Sequence, residues 1–151
     1  MNTNNILFDF DDILLESTIM SEVNHRSEID CMINGKLPIF TAPMFDVVGL
    51  ENFKQFENLN INTIIPRSKF DIGNIENISH KHGWVAVSLE EMESLYDKDI
   101  LDPTISKNGK VKILIDVANG HMQRLYDLSV KIKERYGDTV QLMIGNVANP
   151  I

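Results

Sequence analysis

Five short apolar runs, at residues 37–41, 61–65, 84–87, 111–115 and 140–144, constrain this chain most, because their starts recur roughly every 23 to 29 residues. That interval accommodates one strand and one helix per unit. Continuous apolarity, rather than alternation, suits parallel strands buried on both faces. Helical patterns fill the intervals: Phe53, Phe56 and Leu59 recur three apart, as do Ile72, Ile75 and Ile78, and Leu89, Met92 and Leu95. Ser88 followed by Glu91 reads as a capping box opening the third helix, and Met122, Leu125, Tyr126, Ser129 and Ile132 outline the fourth. Residues 100–110, with Asp102-Pro103 and Asn108-Gly109, read as a loop punctuated by turn dipeptides. The class is α/β. An open five-stranded sheet and part of a closed barrel both fit, since a complete barrel needs eight units and about 250 residues.

A length of 151 residues with 43% apolar content suffices for one core and one domain. A net charge of −8, with no Lys/Arg stripe, argues against a nucleic-acid footprint. The single cysteine, Cys31, allows no internal disulfide, which fits a reducing cytoplasm. Residues 1–5 carry no basic region, and no apolar run reaches membrane-spanning length, so neither export nor a membrane partner is expected. His80 and His82 are two apart, a spacing that fits neither a helical face nor a convincing metal pair.

The candidate chemistry centres on Asp116, which ends the fourth run and is followed by Val117-Ala118-Asn119-Gly120. A carboxylate at the carboxyl end of a parallel strand sits where both open sheets and barrels place their ligands. The bland alternative is an Asp that caps the next helix.

The motifs in order resemble the purine nucleotide oxidoreductase family that comprises GMP reductase and IMP dehydrogenase. Phe10-Asp11-Asp12-Ile13-Leu14-Leu15 is similar to its amino-terminal Phe-Asp-Asp-Val-Leu-Leu, and Arg26-Ser27-Glu28-Ile29-Asp30 to its Arg-Ser-Glu-Val-Asp. Leu37-Pro38-Ile39-Phe40-Thr41-Ala42-Pro43-Met44 resembles the first barrel strand and its end, and Trp84-Val85-Ala86-Val87-Ser88 the third. Asp116-Val117-Ala118-Asn119-Gly120 matches the GMP reductase form of the fourth strand's end, and Met143-Ile144-Gly145-Asn146-Val147 resembles the fifth strand. GMP reductase is the closer match, because only Lys81-His82-Gly83 stands where IMP dehydrogenases usually carry an inserted domain.

The resemblance implies the amino-terminal five β/α units of a TIM (β/α)8 barrel, incomplete in this chain, with residues 1–36 as a leading segment and 37–151 as strands and helices of one partial domain. It implies NADPH-dependent conversion of GMP to IMP, with NAD as the alternative cofactor, in a homo-oligomer or together with a separate carboxyl-terminal half. Asp116, Val117, Ala118 and Arg67 would contact the cofactor, and His25 and Arg26 would reach cofactor on a neighbouring subunit. Ala42 and Met44 would lie beside the purine, where a thioether can pack on a flat base. The bland readings are core packing for Met44, a solvated charge for Arg26 and a strand-end cation for Arg67.

Departures from the family are informative. Phe45 intervenes between Met44 and Asp46 where the family has Asp directly, so no catalytic role passes to Asp46. The family's nucleophilic cysteine follows its sixth strand, beyond the motifs matched here. Cys31 precedes the first strand, and a buried or partly exposed structural thiol is expected. No catalytic residue is therefore assigned, and a non-catalytic truncated relative or assembly module is a second reading. A rival from another class rests on Ile6-Leu7-Phe8-Asp9-Phe10-Asp11, which resembles the first motif of haloacid dehalogenase-type phosphatases. Asp9 would be the nucleophile and Asp11 the acid/base, with magnesium between carboxylates. Ile13 replaces that motif's hydroxyl residue, and no later metal motif appears.

Overall fold

In the computed structural model the described residues are Asp11, Leu14, Glu16, 19–67, Ile75 and 83–147. Asp9, Asp12, Ile72, Ile78, His80 and His82 lie outside them. Two compact units are present, Met1–Cys31 and Met32–Ile151. Of the first, the described part contains a short 3-10 turn, Arg26–Glu28, whose side chains are exposed.

The second unit is built on a parallel sheet of four strands in sequential order: β1 (Ile64–Ile65), β2 (Trp84–Val87), β3 (Val111–Asp116) and β4 (Val140–Gly145). The register sets Ile64 against Trp84, Trp84 against Lys112, and Lys112 against Gln141. Four helices are described: α1 (Phe53–Asn58), α2 (Leu89–Asp97), α3 (Leu101–Asn108) and α4 (Gln123–Tyr136). Because strand side chains alternate, Ile65, Val85, Val87, Ile113 and Ile115 share one face, where they join Leu89, Met92, Leu95, Leu101, Leu125 and Ile132 in the main core. The other face buries Ile64, Ala86 and Leu114, flanked by Trp84 and Met143. The near-continuous apolarity of β2 and β3 is thus explained by burial on both sides.

Three local expectations require correction. The first run, 37–41, forms an isolated parallel bridge, Phe40 with Asn62, rather than a strand. Leu37 and Thr41 donate their N–H groups to the carbonyls of Asn60 and Asn62, and Asn62 N–H donates to the Ile39 carbonyl. Pro38 has no N–H to add. The Asn62 amide also donates to the Leu37 and Ile39 carbonyls, and the Thr41 hydroxyl accepts from Ile64 N–H, so side chains occupy part of the ladder.

The second correction is residues 100–110, which hold helix α3. Pro103 is the third residue of that helix, where an N–H would have no intrahelical partner, so its absence there costs no hydrogen bond. Leu101 is fully buried and Ile105 packs on the core. Gly109, at φ +77°, closes the helix by donating its N–H to the Ile105 carbonyl.

The third concerns helix phase. In α4 the buried stripe is Leu125, Leu128 and Ile132, while Tyr126 is 59% exposed. Tyr126 follows Leu125 by one residue and therefore points about 100° away from it. Leu59, the residue after α1, is likewise exposed, whereas Phe53 is buried. By contrast, Leu89, Met92 and Leu95 are all buried on α2, as the three-residue spacing predicts.

Candidate functional site

Of the eight residues singled out in the sequence, Arg67, Asp116, Val117 and Ala118 lie at or just after the carboxyl ends of β1 and β3. Asp116 is the last residue of β3, opposite Gly145. It shares strand parity with Lys112 and Leu114, so it lies on the face opposite the helices. Its carboxylate is half exposed and lies 3.9 Å from Nε of Arg67, which follows β1 and Pro66. Arg67 also donates to the Asp116 carbonyl at 3.5 Å. Two residues 49 positions apart in sequence, both expected at a cofactor, are thus brought together.

The pair is loose and solvated. Exposed ion pairs contribute only about 0–1 kcal/mol, so carboxylate and guanidinium can exchange this contact for others at little cost. The carboxylate can accept from hydroxyl groups, and the guanidinium can pair with phosphate in two-pronged geometry. Asp116 does not cap the following helix: α4 begins after Met122, without a side-chain cap.

The loop after Asp116 is tied down by its neighbour. Asn146, just past β4, donates its N–H to the Val117 carbonyl and accepts from Gly120 N–H, both at 2.8 Å. Gly120 is needed for this approach, because a Cβ there would stand 2.8 Å from the Asn146 oxygen and from Val147 Cγ2. Asn119 turns the chain by accepting from His121 N–H. Val117 packs against the core while Ala118 is exposed, so the two differ in how much surface they offer a ligand. Sequence reading picked out Asn119-Gly120 as a motif, but the tie from Asn146 is a tertiary contact that no local pattern announces.

Ala42 and Met44 follow the bridged first segment. Met44 N–H donates to the Ala42 carbonyl, and the Met44 carbonyl accepts from Val47 and Val48 N–H, closing a tight turn. Met44 is 57% exposed and is not packed in the core of the described residues. Asp46, in the same turn, is exposed.

His25 and Arg26 belong to the amino-terminal unit, where both are exposed and Glu28 accepts from Asn24 N–H. Cys31 is exposed rather than buried. Asp11 is exposed too. Among the described residues, no group of three or more His, Cys, Asp or Glu side chains could hold a metal, and no helix is long and apolar enough to cross a membrane.

No family model matches the chain. Two curated proteins do: a GMP reductase of Mesoplasma florum, 26% identical over 151 aligned positions, and a GMP reductase of Mycoplasma mycoides subsp. mycoides, 27% identical. Each alignment covers 95% of this chain and 46% of the relative. The chain therefore spans about half the length of the curated relatives it matches, and over that span it is a distant relative of GMP reductases.

Proposed function

We propose that this chain forms the amino-terminal five β/α units of a TIM barrel in a cytoplasmic GMP reductase-type purine nucleotide oxidoreductase, acting in NADPH-dependent conversion of GMP to IMP together with a carboxyl-terminal half. The observation that carries the reading is the convergence of Arg67 and Asp116 at the ends of β1 and β3. Distant similarity to GMP reductases supports it. The bridged first segment stands for the first unit, and β1 to β4 for the second to the fifth.

The residues fit a nicotinamide nucleotide in their chemistry. Asp116 would accept from ribose hydroxyls, Arg67 would pair with phosphate, and the exposed Ala118 leaves the backbone approachable. NADPH, or NAD as the alternative, supplies hydride chemistry when bound. Ala42 and the exposed Met44 would border the purine of GMP or IMP. His25 and Arg26 would serve cofactor on a neighbouring copy in a homo-oligomer.

Cys31 is assigned no catalytic role. It is the chain's only cysteine and lies before the first segment. A second reading is a non-catalytic relative or assembly module that binds nucleotide without turning it over.

Titrating NADPH against the purified chain tests the cofactor site. Saturable binding is expected, weakened about tenfold, or about 1.4 kcal/mol, in Asp116→Asn, and also weakened in Arg67→Met. Binding indifferent to both substitutions would refute it. GMP-dependent NADPH oxidation by the chain alone, abolished by Cys31→Ala, would overturn the exclusion of Cys31.

A further inference from the structure

Asn-Gly occurs three times in the chain, at residues 34–35, 108–109 and 119–120. The dipeptide is intrinsically reactive. Glycine has no Cβ to shield its backbone nitrogen, so that nitrogen can attack the carboxamide carbon of the preceding asparagine and close a five-membered imide. Attack needs a nitrogen that is not held in a hydrogen bond and a backbone free to rotate.

Two of the three sites meet neither condition. Asn108 is the last residue of α3, and Gly109 N–H donates to the Ile105 carbonyl at 2.8 Å. At the next site Gly120 N–H donates to the Asn146 carbonyl at 2.8 Å, while the Asn119 side-chain oxygen accepts from His121 N–H at 2.9 Å. Close packing of Asn146 and Val147 against Gly120 also holds that backbone in place.

The remaining site differs on each count. Asn34 and Gly35 are exposed at the tip of a two-residue turn, both at positive φ, +53° and +77°. A single antiparallel bridge closes the turn, in which Ile33 and Lys36 exchange backbone hydrogen bonds of 2.7 and 3.1 Å. Among the described residues Gly35 N–H has no acceptor, and beyond its chain neighbours no atom lies within 4 Å of where a Cβ on Gly35 would stand. A lone hairpin is marginal in water, so opening this one costs little.

We propose that Asn34 is a site of spontaneous deamidation, and that the fold protects Asn108 and Asn119 from the same reaction. The Gly35 nitrogen bonds to Cγ of Asn34 and loses its proton as the Cγ–Nδ2 bond breaks, releasing ammonia. Water then adds to one of the two imide carbonyls and leaves aspartate or isoaspartate. No oxidant, cofactor or second protein takes part. A carboxylate replaces a neutral amide beside Lys36, and isoaspartate lengthens the main chain of the turn by one methylene. The change falls on the hairpin that leads into the segment before Ala42 and Met44. The proposal is independent of the reductase reading.

Incubating the folded chain in mildly alkaline buffer and mapping its peptides by mass spectrometry tests the assignment. Asn34 should gain the deamidation mass severalfold faster than Asn108 or Asn119. In concentrated urea the three rates should draw close together, because the dipeptide is the same and the fold that separates them is gone. Asn34→Asp has no amide to lose and suits the same turn; it should remove most of the ammonia released by the folded chain. The proposal is overturned if Asn108 or Asn119 converts as fast as Asn34 in the folded chain, if urea leaves the difference intact, or if Asn34→Asp releases ammonia like the parent chain.

Discussion

Ser88 and Glu91 close a reciprocal pair of bonds at the start of α2: Glu91 N–H donates to the Ser88 hydroxyl at 3.1 Å, and Ser88 N–H donates to the Glu91 carboxylate at 2.6 Å. Ser88→Ala should therefore cost about 1 kcal/mol, read as a lower urea midpoint at unchanged slope. At the other end of the sheet, Arg135 bridges Asp99 and Asp102 at 2.7 Å and lies over the rings of Tyr96 and Tyr136. Burial, with the nearby Asp102 carboxylate, pushes the Tyr136 hydroxyl up to about 12. A raised folded-state value means the associated stability is complete below the ordinary value of 10.0 and is lost as pH rises through about 12. Tyr136→Phe should flatten that alkaline loss in melting temperature. It should also be nearly neutral at pH 7, because the buried hydroxyl makes no hydrogen bond of ordinary length. The ion pair of Arg124 with Glu93 acts at the acid end. Its hydrogen bond holds the Glu93 carboxyl below 4.5, so the stability it adds is present above that value and fades as pH falls through the lowered one.

Elements were legible where local chemistry and tertiary burial agreed. In α2 the capping box and the apolar spacing point to the same helix, and the structure has it. Helix α3 was not legible, because Asp102-Pro103 and Asn108-Gly109 mark turns in isolation but the ends of a helix once Leu101 has a core to enter. The first apolar run reads as a buried strand, yet Ile39 and Phe40 remain exposed because no further strand pairs outside it among the described residues. Within the candidate site, strand-end Asp116 could be located from the sequence. Its companion Arg67 could be named only through the family resemblance, since 49 residues separate them. The loop after β3 depends on Gly120. Gly120→Ala must displace the Asn146 contact, at a cost of roughly 1–3 kcal/mol for overpacking. The same variant should weaken NADPH binding, measured beside its melting temperature, if that loop presents Val117 and Ala118 to cofactor.

Across the whole molecule the open question is what covers β4, which pairs with β3 and, among the described residues, with nothing on its other edge. An apolar strand edge is a template for further pairing. Sedimentation velocity on the purified chain should accordingly show self-association, relieved by a carboxyl-terminal half of a GMP reductase if the barrel reading holds. A compact monomer that unfolds cooperatively would count against it. The sequence by itself determined the class and the spacing of the parallel strands, because apolar periodicity is a local property that any burying environment rewards. It also determined the cap at Ser88 and the carboxylate at a strand end. Only the tertiary structure decided that the first run is a bridge, that α3 is a helix and that Arg67 meets Asp116. Those three depend on which distant segments lie side by side, and pairing across 22 to 49 residues leaves no periodic trace along the chain.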